Sequence, residues 1–187
     1  ISRGAFQEVD QVSILKPLCK YWHQPTRAAR YPEIVSTAYR QATSGRPGVV
    51  YVDCGADVLY EMVEEEKAIK PSRVAKRTKP TAEPGAIKEA LSMLTSAERP
   101  LIFAGGGAFF SGAAPDLERF VDITNIPFYT QPMSRGLVPE DHLVSFQSAR
   151  STAMRETDCI LVVGTRLNWM LQYGNRFNRD AKIIQID

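Results

Sequence analysis

The sequence predicts an α/β protein organised on a parallel sheet, and three observations carry that prediction. Between residues 84 and 187, short apolar or β-branched runs alternate with segments of helical period. A glycine-rich turn, LIFAGGGAFFSG at 101–112, breaks one of those runs and opens a helical stretch. The final apolar run, at 182–186, has the Ile-rich character of a strand covered on both faces. Strands and helices alternating at this spacing imply βαβ units with right-handed crossovers. The second half is therefore expected to be a Rossmann-like parallel sheet, incomplete.

In chain order, residues 8–20 (EVDQVSILKPLCK) predict a short helix stopped by Pro17. Residues 32–44 predict a clearer one: Ile34, Val35, Ala38, Tyr39 and Ala42 share a stripe, Pro32 suits a first turn, and Gly45 suits the end. GRPGVVYVD at 45–53 reads as a strand. From Gly55 to Glu83 the chain is charged and punctuated by proline, as a surface linker would be. Regularity then returns. Helices are predicted at 84–96, 113–124 and 147–157, and strands at 100–104, 127–130, 159–163 and 182–186. The expected division is 1–54, the linker 55–83, and 84–187.

Composition removes several function classes. The 187 residues carry 23 basic and 21 acidic side chains, a net charge of +2, which gives no field to attract nucleic acid. No apolar run approaches the ~20 residues a membrane helix needs. Cys19, Cys54 and Cys159 are odd in number and lack metal-ligand spacing, so a reduced, cytoplasmic protein is expected. With only His23 and His142, a multi-histidine metal site is not expected. The chain opens on Ile1 and stops directly after its most strand-like run, so it is expected to be a segment of a longer polypeptide.

The glycine turn has two readings. A dinucleotide fingerprint needs G-x-G-x-x-G after a strand. Gly105 and Gly107 fill the first two places, but Phe110 fills the third, and PFYT at 127–130 ends without the acid that would meet a ribose. A tight βα corner is the better reading, though backbone amides at the start of helix 113–124 could still meet an anion. Arg166, in GTRLNW just past strand 159–163, stands where open α/β sheets bind ligands. It suits a phosphate or carboxylate, or equally a surface ion pair. Asp187 suits a ribose hydroxyl, or a helix N-cap. PMSRG at 132–136 offers charge, hydroxyl and glycine in one loop, or simply a demanding turn. Glu8 and Asp10 do not share a helix face, and His142 in PEDH reads as a loop residue. These residues alone form no catalytic set.

Taken together, GAFQEVDQ (4–11), KPLCK (16–20), GRPGVVYVD (45–53), RPLIFAGGGA (99–108), PMSRGLVPEDH (132–142) and GTRLNW followed by IIQID resemble the thiamine-diphosphate-dependent decarboxylase and lyase superfamily. ARS at 149–151 with GTRLNW is most similar to its 2-hydroxyacyl-CoA lyase and oxalyl-CoA decarboxylase branch. Acetolactate synthases share the AFQE and GRPG segments. The resemblance covers nearly the whole chain. It implies that 1–54 ends a pyrimidine-binding domain and that 84–187 is most of a central domain. It implies a thiamine-diphosphate- and Mg-dependent parent acting on acyl-CoA, a homodimer or homotetramer, with most of the cofactor site outside these residues. This segment alone is then expected to be inactive and to bind no thiamine diphosphate.

The resemblance also assigns residues. Phe6 and Gln7 would line the active site, where oxalyl-CoA decarboxylases have tyrosine and glutamate; the difference favours a lyase. Arg46, Gly105, Gly106, Arg166 and Asp187 would contact ADP or a similar nucleotide, and Met133, Ser134 and Arg135 would lie near the CoA chain. Gly106 stands where the family usually has lysine, which removes one phosphate contact. The alternatives are an oxalyl-CoA decarboxylase, an acetolactate-synthase-like carboligase, or a nucleotide-binding module without turnover.

Overall fold

A computed structural model describes residues 4, 6, 8–72 and 79–187. The chain divides into two compact units, Ile1–Pro80 and Thr81–Asp187. Among the described residues, no helix is long and apolar enough to cross a membrane.

In the first unit, the helix expected over 8–20 is shorter: α1 spans Gln11–Leu15 and passes into a 3-10 turn at Lys16–Leu18. Asp10 sets its start by accepting from the Ser13 amide at 3.0 Å, and Pro17 tightens its end. β1 (Tyr21–His23), which the sequence did not announce, pairs in parallel with β2 (Val50–Val52), Trp22 opposite Tyr51. The connection between them is α2 (Tyr31–Thr43), which buries Ile34 and Ala38 but leaves Val35 and Tyr39 of the expected stripe exposed. Part of the stretch read as linker folds onto this unit. α3 (Ala56–Leu59) buries Val58, the Ala28 amide donates to Glu61 Oε2 at 2.7 Å, and the Ile69 amide donates to the Ala29 carbonyl at 2.8 Å.

The second unit is a four-stranded, all-parallel sheet in the order β4-β3-β5-β6. The strands are β3 (Pro100–Ala104), β4 (Phe128–Thr130), β5 (Cys159–Val163) and β6 (Lys182–Ile186). Alternation along them separates two apolar layers. Ile102, Ala104, Phe128 and Leu161 pack with Leu94 of α4 (Pro84–Thr95), Ala108 of α5 (Gly106–Ser111), and Leu117 and Val121 of α6 (Ala114–Thr124). On the other face Leu101, Phe103, Tyr129, Ile160 and Val162 pack with Met154 of α7 (Arg150–Glu156) and with Leu171 and Phe177. Ile87 and Leu91 of α4 are exposed while Leu94 is buried.

One local expectation is corrected. The glycine turn does not lead directly to a helix at 113. The chain turns at Gly105, forms α5, and is stopped by Gly112 in the left-handed region (φ 71°) before α6 starts. The amides nearest the end of β3 therefore belong to α5.

Candidate functional site

The order β4-β3-β5-β6 makes a topological switch between β3 and β5, because the chain leaves β3 first to one side and later to the other. In open α/β sheets the ligand crevice lies outside the carboxyl ends of the strands at such a point. Gly105, Gln131, Gly164–Arg166 and Asp187 follow the ends of β3, β4, β5 and β6, respectively.

The glycines serve close packing of two turns. A Cβ on Gly105 would lie 2.3 Å from Thr165 Cβ, one on Gly107 would lie 2.7 Å from Gly164 Cα, and one on Gly164 (φ +61°) would lie 2.1 Å from the Ala108 nitrogen. The Gly105 amide donates to the Val163 carbonyl at 2.8 Å and the Gly107 amide to the Gly164 carbonyl at 2.7 Å. The Gly107 N–H is thus already occupied within the protein. Gly106 is different: a Cβ there would meet only Met133, at 3.3 Å.

The 132–136 loop divides by residue. Met133 is exposed beside Gly106. Ser134 is fully buried; its hydroxyl donates to the Ala104 carbonyl at 2.7 Å and also lies 3.0 Å from the Gln131 carbonyl. The hydroxyl counted as a CoA neighbour is therefore committed to holding the loop on the end of β3. Arg135 is engaged by Glu140, Nε to Oε1 at 2.7 Å and Nη2 to Oε2 at 3.3 Å. Hydrogen bonding to Arg135 holds the Glu140 carboxyl below its ordinary range.

Arg166 is exposed, and no carboxylate pairs with it among the described residues. Its carbonyl is held by the Asn168 amide at 2.8 Å. Asp187 is exposed beyond β6. Arg46 belongs to the first unit, where its carbonyl accepts from Lys20 Nζ at 2.9 Å. Phe6, also in that unit, is 92% exposed, and Gln7 lies outside the described residues. Among the described residues no group of three or more His, Cys, Asp or Glu side chains could hold a metal ion. No step through thiamine diphosphate or its cation is assigned to them.

The sequence reading missed a cleft on the α7 face of the sheet. It has a volume of about 320 Å³ and is lined by Phe103, Gln131, Arg150, Trp169, Leu171 and Arg176 among others. A second cavity of about 350 Å³ shares Met154 and Arg176 with it. Trp169 is 70% exposed, and neither arginine has a carboxylate partner among the described residues. The nearby backbone is unusual, with Gln172 (φ 47°) and Tyr173 (φ 56°) both left-handed. Behind the cleft, burial pushes the Tyr129 phenol up while the positive charge of Arg150 partly opposes that shift. Arg150 stood in the ARS segment, but nothing in the sequence marked Gln131, Trp169 and Arg176 as its neighbours.

A family model described as thiamine pyrophosphate enzyme, central domain, matches residues 87–187. A 2-hydroxyacyl-CoA lyase from Arabidopsis thaliana is 40% identical over 195 residues, covering 100% of this chain and 34% of that protein. An oxalyl-CoA decarboxylase from Escherichia coli (strain K12) is 34% identical over 192 residues, with 100% and 34% covered. A probable acetolactate synthase large subunit from Methanocaldococcus jannaschii is 34% identical over 198 residues, again with 100% and 34% covered. The chain spans about a third of the length of these curated relatives.

Proposed function

Because the chain belongs to the thiamine pyrophosphate enzymes, through their central domain, we propose that it is part of a thiamine-diphosphate- and Mg-dependent 2-hydroxyacyl-CoA lyase. The whole enzyme would cleave or form the C–C bond beside the hydroxyl of a 2-hydroxyacyl-CoA, with formyl-CoA as the one-carbon product. The observation that carries this reading is the 40% identity to a 2-hydroxyacyl-CoA lyase across the whole chain. The bond chemistry would belong to the cofactor, and these residues would supply binding and orientation.

In this reading residues 1–54 end the pyrimidine-binding domain, 55–83 link, and 84–187 form the central domain. Phe6 and Gln7 would line the active site. Arg166 and Asp187, both exposed past strand ends, would meet a nucleotide such as ADP, with Gly105, Gly106 and Arg46 assigned to the same ligand. Met133 and Arg135 would flank the CoA chain, and Ser134 would hold their loop. The enzyme would be a cytoplasmic homodimer or homotetramer.

The names of two relatives favour a second reading, oxalyl-CoA decarboxylation or acetolactate-type carboligation. One assay separates them. The full-length protein, with thiamine diphosphate and Mg, is given a 2-hydroxyacyl-CoA, oxalyl-CoA or pyruvate. Formyl-CoA together with an aldehyde or ketone from the first substrate supports the lyase. Turnover of oxalyl-CoA alone, or acetolactate from pyruvate alone, replaces it. A folded protein that binds ADP but turns over none of the three would be a nucleotide-binding module.

A further inference from the structure

Gln131 follows β4 and is 8% exposed. Nearly every polar group it carries is satisfied. Its amide donates to the Ala104 carbonyl at 3.0 Å, its carbonyl accepts from the Ser134 amide at 2.9 Å, and its side-chain Oε1 accepts from the Thr165 hydroxyl at 2.8 Å. Nε2 is the exception: it is buried and has no partner. A buried amide NH2 without an acceptor is costly, so a side chain held this firmly with its donor group left over is a poor purely structural arrangement. Gln131 also lines the α7-face cleft, as do Arg150 and Arg176, which have no carboxylate partners among the described residues.

We propose that Gln131 is a specificity-determining residue of this cleft: its Nε2 donates to an amide carbonyl of the ligand, while Arg150 and Arg176 meet that ligand's negative charge. The inference rests on the acyl-CoA reading above, because coenzyme A joins phosphates to a pantetheine arm with two neutral amides. Two guanidinium groups alone would accept any phosphorylated ligand. An amide donor fixed by Thr165 adds a preference for ligands with a neutral acceptor at the right distance from the charge. Apolar Phe103 and Leu171 beside it suit the methylene part of the same arm.

The test is calorimetric titration of CoA into the full-length protein and its variants, with melting temperatures to confirm folding. Gln131→Met removes the donor and nearly conserves shape; Gln131→Leu removes it with a shorter apolar side chain, and neither adds charge to the cleft. Each should weaken CoA about 2- to 12-fold, the range of one neutral hydrogen bond, and Arg150→Gln should weaken it at least as much. Wild-type affinity in either folded Gln131 variant, with Arg150→Gln weakened, would overturn the proposal and leave the acyl-CoA reading standing. No effect of Arg150→Gln would also overturn it, because the cleft would not be the site. Absence of CoA binding by the wild type would defeat the acyl-CoA reading itself. Should both Gln131 variants misfold, the part of the emission that is lost in Trp169→Phe reports the cleft directly. CoA must then change that emission, and an unchanged spectrum with bound CoA overturns the proposal.

Discussion

Gly107 lies against Gly164 so closely that its amide donates to the Gly164 carbonyl at 2.7 Å, and a Cβ on it would stand 2.7 Å from Gly164 Cα. This contact joins the turn after β3 to the turn after β5 at the topological switch of the sheet. Gly164→Ala would add both a left-handed alanine (φ +61°) and a collision 2.1 Å from the Ala108 nitrogen. The expected cost is roughly 3–5 kcal/mol. Gly112→Ala is the matched control, with φ +71° but nothing within 4 Å, and should cost about 1 kcal/mol. Urea denaturation of both variants checks the pair; equal costs would mean that conformation, not contact, requires glycine at 164.

Ser134→Ala should destabilise by about 1–2 kcal/mol, because it removes a fully buried hydroxyl bonded to the end of β3. If the hydroxyl only holds the loop, CoA affinity of the folded variant should stay within twofold of wild type. A large loss of affinity at unchanged stability would return Ser134 to the ligand.

Asp158 supplies a pH dependence. Its carboxylate accepts from the Glu98 amide at 2.7 Å and the Arg99 amide at 2.9 Å, tying the start of β3 to the start of β5. Partial burial pushes its pKa up, but those amides outweigh burial and hold it below 3.8. Its contribution is therefore complete above the unfolded value and is lost as pH falls through the lower folded one. Chemical denaturation between pH 6 and pH 2 should show an acid-side loss of stability that Asp158→Asn reduces. An identical pH profile in the variant would remove Asp158 as a source.

Arg166→Gln should weaken ADP about tenfold or more, as expected for a lost charge-assisted hydrogen bond to phosphate. The melting temperature should not move, since the side chain is exposed and no carboxylate pairs with it among the described residues. Equal ADP affinity in variant and wild type would remove Arg166 from the nucleotide assignment.

The sheet of the second unit was legible because its strands are apolar runs with punctuated ends; 100–104, 159–163 and 182–186 were placed at their observed limits. β1 was not, because YWH is three residues long and gains strand character only by pairing with β2. α5 was hidden for the opposite reason. Three consecutive glycines predict a turn, and only their packing against Gly164 allows a helix to start inside it. At the site, the strand-end positions of Arg166 and Asp187 followed from order along the chain. The Gln131–Thr165 bond and the cleft beside it did not, since they join residues that meet only after three strand ends are brought side by side.

The position of β3 in the sheet also has a consequence for synthesis. Its partner on one side, β4, emerges next, and Ile102 can pair with Phe128 as soon as that segment is available. Its partner on the other side, through Ile102 and Leu161, comes only after the long irregular loop and α7. Until β5 leaves the ribosome, β3 presents one open edge, and the layer of Leu101 and Phe103 lacks Ile160 and Val162. Nascent chains arrested in that interval should engage chaperones more strongly than chains released after residue 163.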